Sequence, residues 1–306
     1  MRGKIVLASL VLVMAGTVAP VKAQSAIANA AVNSMVPTPN ELYCSGVVTT
    51  EAVPRDTYVI TGEESDTKMT YETNDIVYVN KGSDQGVKVG DEYFVVRSQV
   101  DPLFEIEWTK WQNSILHKMG TVWEDEGRVK VEIVRPKVSI ARVEHSCNYI
   151  QRGDLILPFV ERPAPPLKSE DKFDKFAPPN GKPLAMIITG KTFQQAVGSE
   201  DVVYVNLGNG QGVHVGDYFR IFRYHGTQHE TVYQTPRYAF DLEQGTAIPD
   251  AGIYGFGKVP SKWDWSNVPR EDIGEGIVLR TGPNSSTVLI TLSLRAIYPG
   301  DYVELE

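Results

Sequence analysis

Residues 75–97, DIVYVNKGSDQGVKVGDEYFVVR, return without gaps at 201–223 as DVVYVNLGNGQGVHVGDYFRIFR, with 13 of 23 positions identical. An internal repeat constrains a fold more than any single motif, because both copies must adopt one architecture. The similarity extends outward on both sides. YVITG (58–62) matches MIITG (186–190), and VEHSCNYIQRGD (143–154) matches ITLSLRAIYPGD (290–301). Each copy therefore spans more than a hundred residues, expected at 43–160 and 184–306. Between them lies the proline-rich stretch 161–183, read as a semi-extended linker that Phe173 and Phe176 could dock.

Within each copy the elements read as short strands. DIVYVN is a continuous run of β-formers, as expected for a strand covered on both faces. In YFRIFR, Phe219 and Ile221 alternate with Arg220 and Phe222, a period of two. GRVKVEIV (127–134) and GEGIVLRTG (274–282) begin a further strand pair. The fold class expected is all-β: two tandem small antiparallel β-barrel or sandwich domains from an internal duplication, with variable inserted loops at 98–126 and 224–272. Glycine-rich loops can also cradle phosphates, but that needs a strand before the loop and a helix after it. Here Gly82, Gly86 and Gly90, like Gly208, Gly212 and Gly216, lead into strands. They are expected to serve positive φ or close backbone contact. Asp91 and Asp217 follow as turn caps, and Arg97 and Arg223 are expected to ion-pair near the barrel rim.

Residues 1–23 read as an export signal. Arg2 and Lys4 precede a short apolar run, and VKA precedes Gln24. Pro20 and Lys22 cut the run short of the roughly 20 apolar residues that span a bilayer, so no transmembrane helix is expected after cleavage. Cleavage removes Arg2, Lys4 and Lys22 from 30 basic residues and none of 38 acidic ones, leaving a net charge of −11. With no basic run, nucleic acid is excluded as a partner class. Residues 24–42 read as a flexible lead-in. The two cysteines, Cys44 and Cys147, form an even pair in an exported chain, which favours a disulfide over two buried free thiols. A periplasmic or extracellular location follows.

No catalytic constellation, cofactor motif or metal-ligand set emerges. His225 and His229 have H-x3-H spacing, but Gly226 breaks any helix and no third ligand is evident. The tryptophans are the other candidates. Trp108 and Trp111 sit in the first insert with Trp123 near by, and Trp263 and Trp265 in the second. They either pack the inserts or form a surface for protein or glycan.

The repeated VYVN-x-G-x-x-x-GV-x-VGD pattern, with its terminal S-x-x-x-I-x-x-GD, resembles the C-terminal β-domain of flagellar assembly protein T. It is also similar to the C-terminal domains of lysin-motif envelope proteins. The resemblance covers both scaffolds and not the inserts. It implies a non-enzymatic periplasmic role with envelope proteins as partners, and flagellar association as the specific case. A cell-wall or polysaccharide-binding module, with peptidoglycan as partner, and a hydrolase with an unrecognised site are the alternatives.

Overall fold

The computed structural model describes residues 36–99, 110–168, 173–194, 196–224 and 269–306, with only the backbone of 110–113. The export signal 1–23, Trp108, Trp263, Trp265, His225, His229 and the Trp111 side chain lie outside the described residues. Among the described residues, no helix is long and apolar enough to cross a membrane.

The described chain enters through helix α1 (Pro39–Tyr43) and strand β1 (Val47–Thr49). The first copy follows: β2 (Val59–Gly62), β3 (Thr70–Tyr71), β4 (Ile76–Val79), β5 (Glu92–Gln99), α2 (Lys110–Met119), β6 (Thr121–Val134), β7 (Ser139–Ser146), β8 (Ile150–Gln151) and β9 (Leu155–Pro158), of which β3 and β8 pair as a separate two-stranded sheet. The second comprises β10 (Leu184–Gly190), β11 (Val202–Val205), β12 (Tyr218–Arg223), β13 (Glu271–Gly282), β14 (Ser285–Ser293) and β15 (Tyr302–Leu305).

The second set closes into a barrel of order β10-β11-β14-β13-β12-β15. The first set runs β2-β4-β7-β6-β5-β9, the same order strand for strand. Its edges meet through a single bridge between Tyr58 and Leu155, with Val59 N donating to Asp154 O at 2.9 Å. The fold is all-β, as the repeat predicts. Alternate strand residues fill each interior: Val77, Val79, Val95, Val129, Val131, Ala141 and Val143 in the first, and Val203, Val205, Phe219, Ile221, Val278, Val288 and Ile290 in the second.

The glycine loops behave as backbone devices. Each forms one turn of 3₁₀ helix, Ser83–Gln85 or Asn209–Gln211, ended by a left-handed glycine, Gly86 at φ 85° or Gly212 at φ 87°. Gly90 and Gly216 also have positive φ. Gly82 and Gly208 are needed for space: a Cβ would lie 2.0 Å from Arg135 O and 2.2 Å from Gly282 O, respectively. The repeated glutamine closes the turn, Gln85 Oε1 accepting from Gly82 N and Gln211 Oε1 from Gly208 N. Asp91 accepts from Lys88 N at 2.9 Å and Asp217 from His214 N at 2.8 Å, as turn caps do.

Three expectations need correction. Residues 36–42, assigned to a flexible lead-in, are ordered: Thr38 and Glu41 form a capping box, and Leu42 is buried among Val202, Tyr218, Ile277, Leu279 and Leu289 of the second barrel. The first insert is shorter than 98–126, because Ser98 and Gln99 end β5 and 121–126 begin β6. That strand stays paired through the acidic stretch, whose carboxylates Glu124, Asp125 and Glu126 are all buried. The second insert likewise stops before Glu271, where β13 begins.

Segments before and between the barrels join them. β1 pairs with β6, Val47 opposite Trp123. Its other side receives the second barrel: Ser285 Oγ donates to Val48 O, and Thr287 Oγ1 to Gly46 O at 3.1 Å. Val48, Met119 and Val122 pack with Ile188, Phe193 and Tyr204 in a shared core. This gives β11 its second covered face, Val203 and Val205 pointing into the barrel and Val202 and Tyr204 out of it. The linker is anchored as well. Leu167 packs against the second barrel, Lys168 N donates to Tyr218 Oη at 2.7 Å, and the Phe173 ring lies 5.7 Å from the Arg220 guanidinium. Phe176 is exposed.

Candidate functional site

A cluster of buried ionic groups, Glu124, Asp125 and Glu126 with Arg270, Glu271 and Asp272, lies where β6 and β13 begin. WEDEG (123–127) opens the interior run of β6, and REDIG (270–274) occupies the matching place in β13. Gly127 and Gly274 pair with Ser146 and Ser293 at equivalent points of the two ladders. The repeat therefore extends into what reads as dissimilar insert. The signal was present in the sequence: continuing the Gly127–Gly274 alignment upstream by three residues recovers Glu-Asp-x-Gly.

Asp125 is 2% exposed and joins three separate segments. It accepts from Gly46 N at 2.9 Å, from Arg162 of the linker at 2.9 and 3.0 Å, and from Arg280 of the second barrel at 3.1 Å. Burial opposes its charge, but the Arg280 and Arg162 guanidiniums hold its pKa below the ordinary aspartate value. Arg162 also lies over the Phe94 ring, 4.4 Å from its centre, and donates to Leu42 O. The matching Asp272 is fully buried between Arg220, at 2.9 Å, and Arg270, at 3.2 Å. Burial raises its pKa, and the two arginines oppose that rise. Each Glu-Asp-x-Gly aspartate thus sits between two arginines. The first pair holds the barrels and linker together, whereas the second pair belongs to the second barrel.

The Arg97 and Arg223 expectations are met by matching geometry. Arg97 Nε and Nη2 grip Asp154 at 2.7 Å each, and Nη2 also donates to Tyr149 O. Arg223 grips Asp301 in the same bidentate way, its Nε at 2.7 Å from Oδ1. Asp154 and Asp301 in turn cap their own turns, accepting from Gln151 N and Tyr298 N. The pairs therefore fasten the last turn of each barrel to the end of β5 or β12. Asp91 and Asp217 are not their partners.

Glu126 has no counterpart of its kind. Fully buried, it takes the position of Ile273, a residue of the second barrel's apolar core. Neither carboxyl oxygen makes a hydrogen bond, although Arg97 Nη1 lies 3.2 Å from Oε1. Burial drives its pKa to about 8; Arg97 opposes this, while Asp154 and Glu124 add to it. Glu124, which accepts from Gln99 Nε2, is also raised by burial.

Cys44 and Cys147 form a disulfide across 103 residues. It ties the segment entering β1 to the end of β7. His145 Nε2 lies 3.4 Å from Cys44 Sγ, and Cys147 N donates to Glu126 O.

Trp123, close to the insert tryptophans in sequence, is buried among Phe94, Val96 and Val47. The second half of the first insert is part of the barrel junction: Ile115, Leu116 and Met119 of α2 pack into the shared core, and Asn284 Nδ2 donates to Lys118 O. The remaining inserts, 100–109 and 225–268, leave from the ends of β5 and β12, the same point of each barrel.

No known protein family matches the chain, and no curated protein matches it.

Proposed function

We propose that this chain is an exported, non-enzymatic structural or assembly module of the bacterial envelope, a stiff two-barrel body that presents two insert loops to a protein partner. The observation that carries the reading is the Asp125 junction. One buried carboxylate ties the entering segment, the linker and the second barrel to β6. Two barrels fixed in this way lose little orientational freedom on binding, which favours a scaffold over a pair of swinging modules. The inserts follow equivalent strands of the two barrels, β5 and β12, which gives both the same attachment point for partner contacts. The resemblance to the C-terminal domain of flagellar assembly protein T makes support of a motor ring in the periplasm the specific case.

The experiment is in-cell crosslinking of the mature chain, beside a variant whose 225–268 loop is replaced by a short Gly/Ser linker. Capture of one envelope protein by the first and not the second is expected. Cosedimentation with purified peptidoglycan, weakened by Trp263→Ala, would instead favour a wall-binding module. Turnover on a broad hydrolase panel would overturn both.

A further inference from the structure

Cys44 Sγ, Cys147 Sγ and His145 Nε2 or Nδ1 all lie within 4.8 Å of one another. Two thiolates and an imidazole are a ligand set suited to zinc, which binds sulfur at about 2.3 Å and histidine nitrogen at about 2.0–2.1 Å. A tetrahedral ion with those bond lengths places a sulfur and a nitrogen roughly 3.6 Å apart. Cys44 Sγ and His145 Nε2 already stand at 3.4 Å. The two cysteine Cα atoms are 5.4 Å apart, so the sulfurs can separate to the roughly 3.8 Å of a shared ion by side-chain rotation.

We propose that reduction of the Cys44–Cys147 bond converts this place into a zinc site with Cys44, Cys147 and His145 as protein ligands and a fourth position open. An external dithiol supplies the two electrons and two protons that turn the disulfide into two thiols, and is itself oxidised to its disulfide. The ion then binds both sulfurs as thiolates and displaces their protons. Disulfide and metal exclude each other, because both use the same sulfur atoms. Either state ties residue 44 to residue 147, so the entering segment stays fastened to the first barrel in oxidising and reducing surroundings. His145 distinguishes the two states: the disulfide does not need it and the ion does.

The test uses the whole mature chain, reduced with a dithiol, exchanged into thiol-free anaerobic buffer and titrated with cobalt(II), then zinc. One equivalent of cobalt should give thiolate charge-transfer and tetrahedral ligand-field absorption, both removed by one equivalent of zinc. His145→Ala should weaken binding at least tenfold. The oxidised chain and the Cys44→Ser/Cys147→Ser double variant should show neither band. If reduction unfolds the chain, zinc should restore the near-ultraviolet circular dichroism of wild type and not of His145→Ala. The proposal is overturned by absence of a stoichiometric cobalt spectrum, by equal affinity in His145→Ala, or by an unfolded reduced chain that zinc does not restore.

Discussion

Glu126 stands in the first barrel where Ile273 stands in the second, and both are fully buried. A carboxyl group occupies the place of an apolar side chain and makes no hydrogen bond there. Its folded pKa, about 8, lies above the unfolded value near 4.5. Between those limits the folded state holds a proton that the unfolded state has lost. Stability from this group is therefore fully present below about pH 4.5 and declines as pH rises to about 8, by roughly 1.4 kcal/mol per pH unit. Glu126→Ile should remove that slope and raise stability most at pH 8. Urea midpoints of both proteins from pH 5 to pH 8.5 check this; parallel curves would refute it.

Asp125 carries the opposite logic. Its carboxylate is buried and paired with two arginines, so Asp125→Asn leaves the partly buried Arg162 and Arg280 guanidiniums beside a neutral amide. Removing one partner from a buried ion pair costs about 3–5 kcal/mol. Arg280→Met should cost less, because Arg162 still balances the carboxylate with two hydrogen bonds. The order of the two urea midpoints is the observable. Equal losses would mean that Arg162 cannot sustain Asp125 alone.

The glycines of the repeat divide by mechanism. At Gly86 a Cβ meets nothing within 4 Å, so Gly86→Ala pays only for its left-handed backbone, about 1–2 kcal/mol, and Gly86→Asn costs less. At Gly82 φ is −139°, ordinary for any residue, but the Cβ would strike the Arg135 carbonyl. Gly82→Ala must therefore displace backbone and should lose more stability than Gly86→Ala. Thermal melts of the three variants give the order.

The scaffold was legible because a duplication writes its grammar twice. VYVN and the glycine turn are local patterns, and each recurs at the expected place in the second barrel, whereas the aspartate partners of Arg97 and Arg223 lie 57 and 78 residues away. The junction was not legible. Asp125, Arg162 and Arg280 are separated by 37 and 155 residues in their contacts, and nothing local distinguishes a buried aspartate with two distant arginines from a solvated one. Glu-Asp-Glu reads as surface, yet Glu124, Asp125 and Glu126 are all buried. The short helix at Pro39–Tyr43 was hidden for a similar reason: its stability rests on Leu42 reaching a barrel that begins more than a hundred residues later.

Met119 tests whether the two barrels behave as one body. It is 1% exposed and packs with Val48 and Val122 of the first side and Ile188, Phe193 and Tyr204 of the second. Met119→Ala removes atoms from a core that neither barrel can fill alone, at a cost of about 2–5 kcal/mol. Because the junction also includes β1 and the Asp125 ion pairs, the wild type should unfold in one calorimetric transition. Met119→Ala combined with Asp125→Asn should split it, with the less stable barrel melting first. A wild type that already shows two well-separated transitions would mean that the shared core does not couple the barrels.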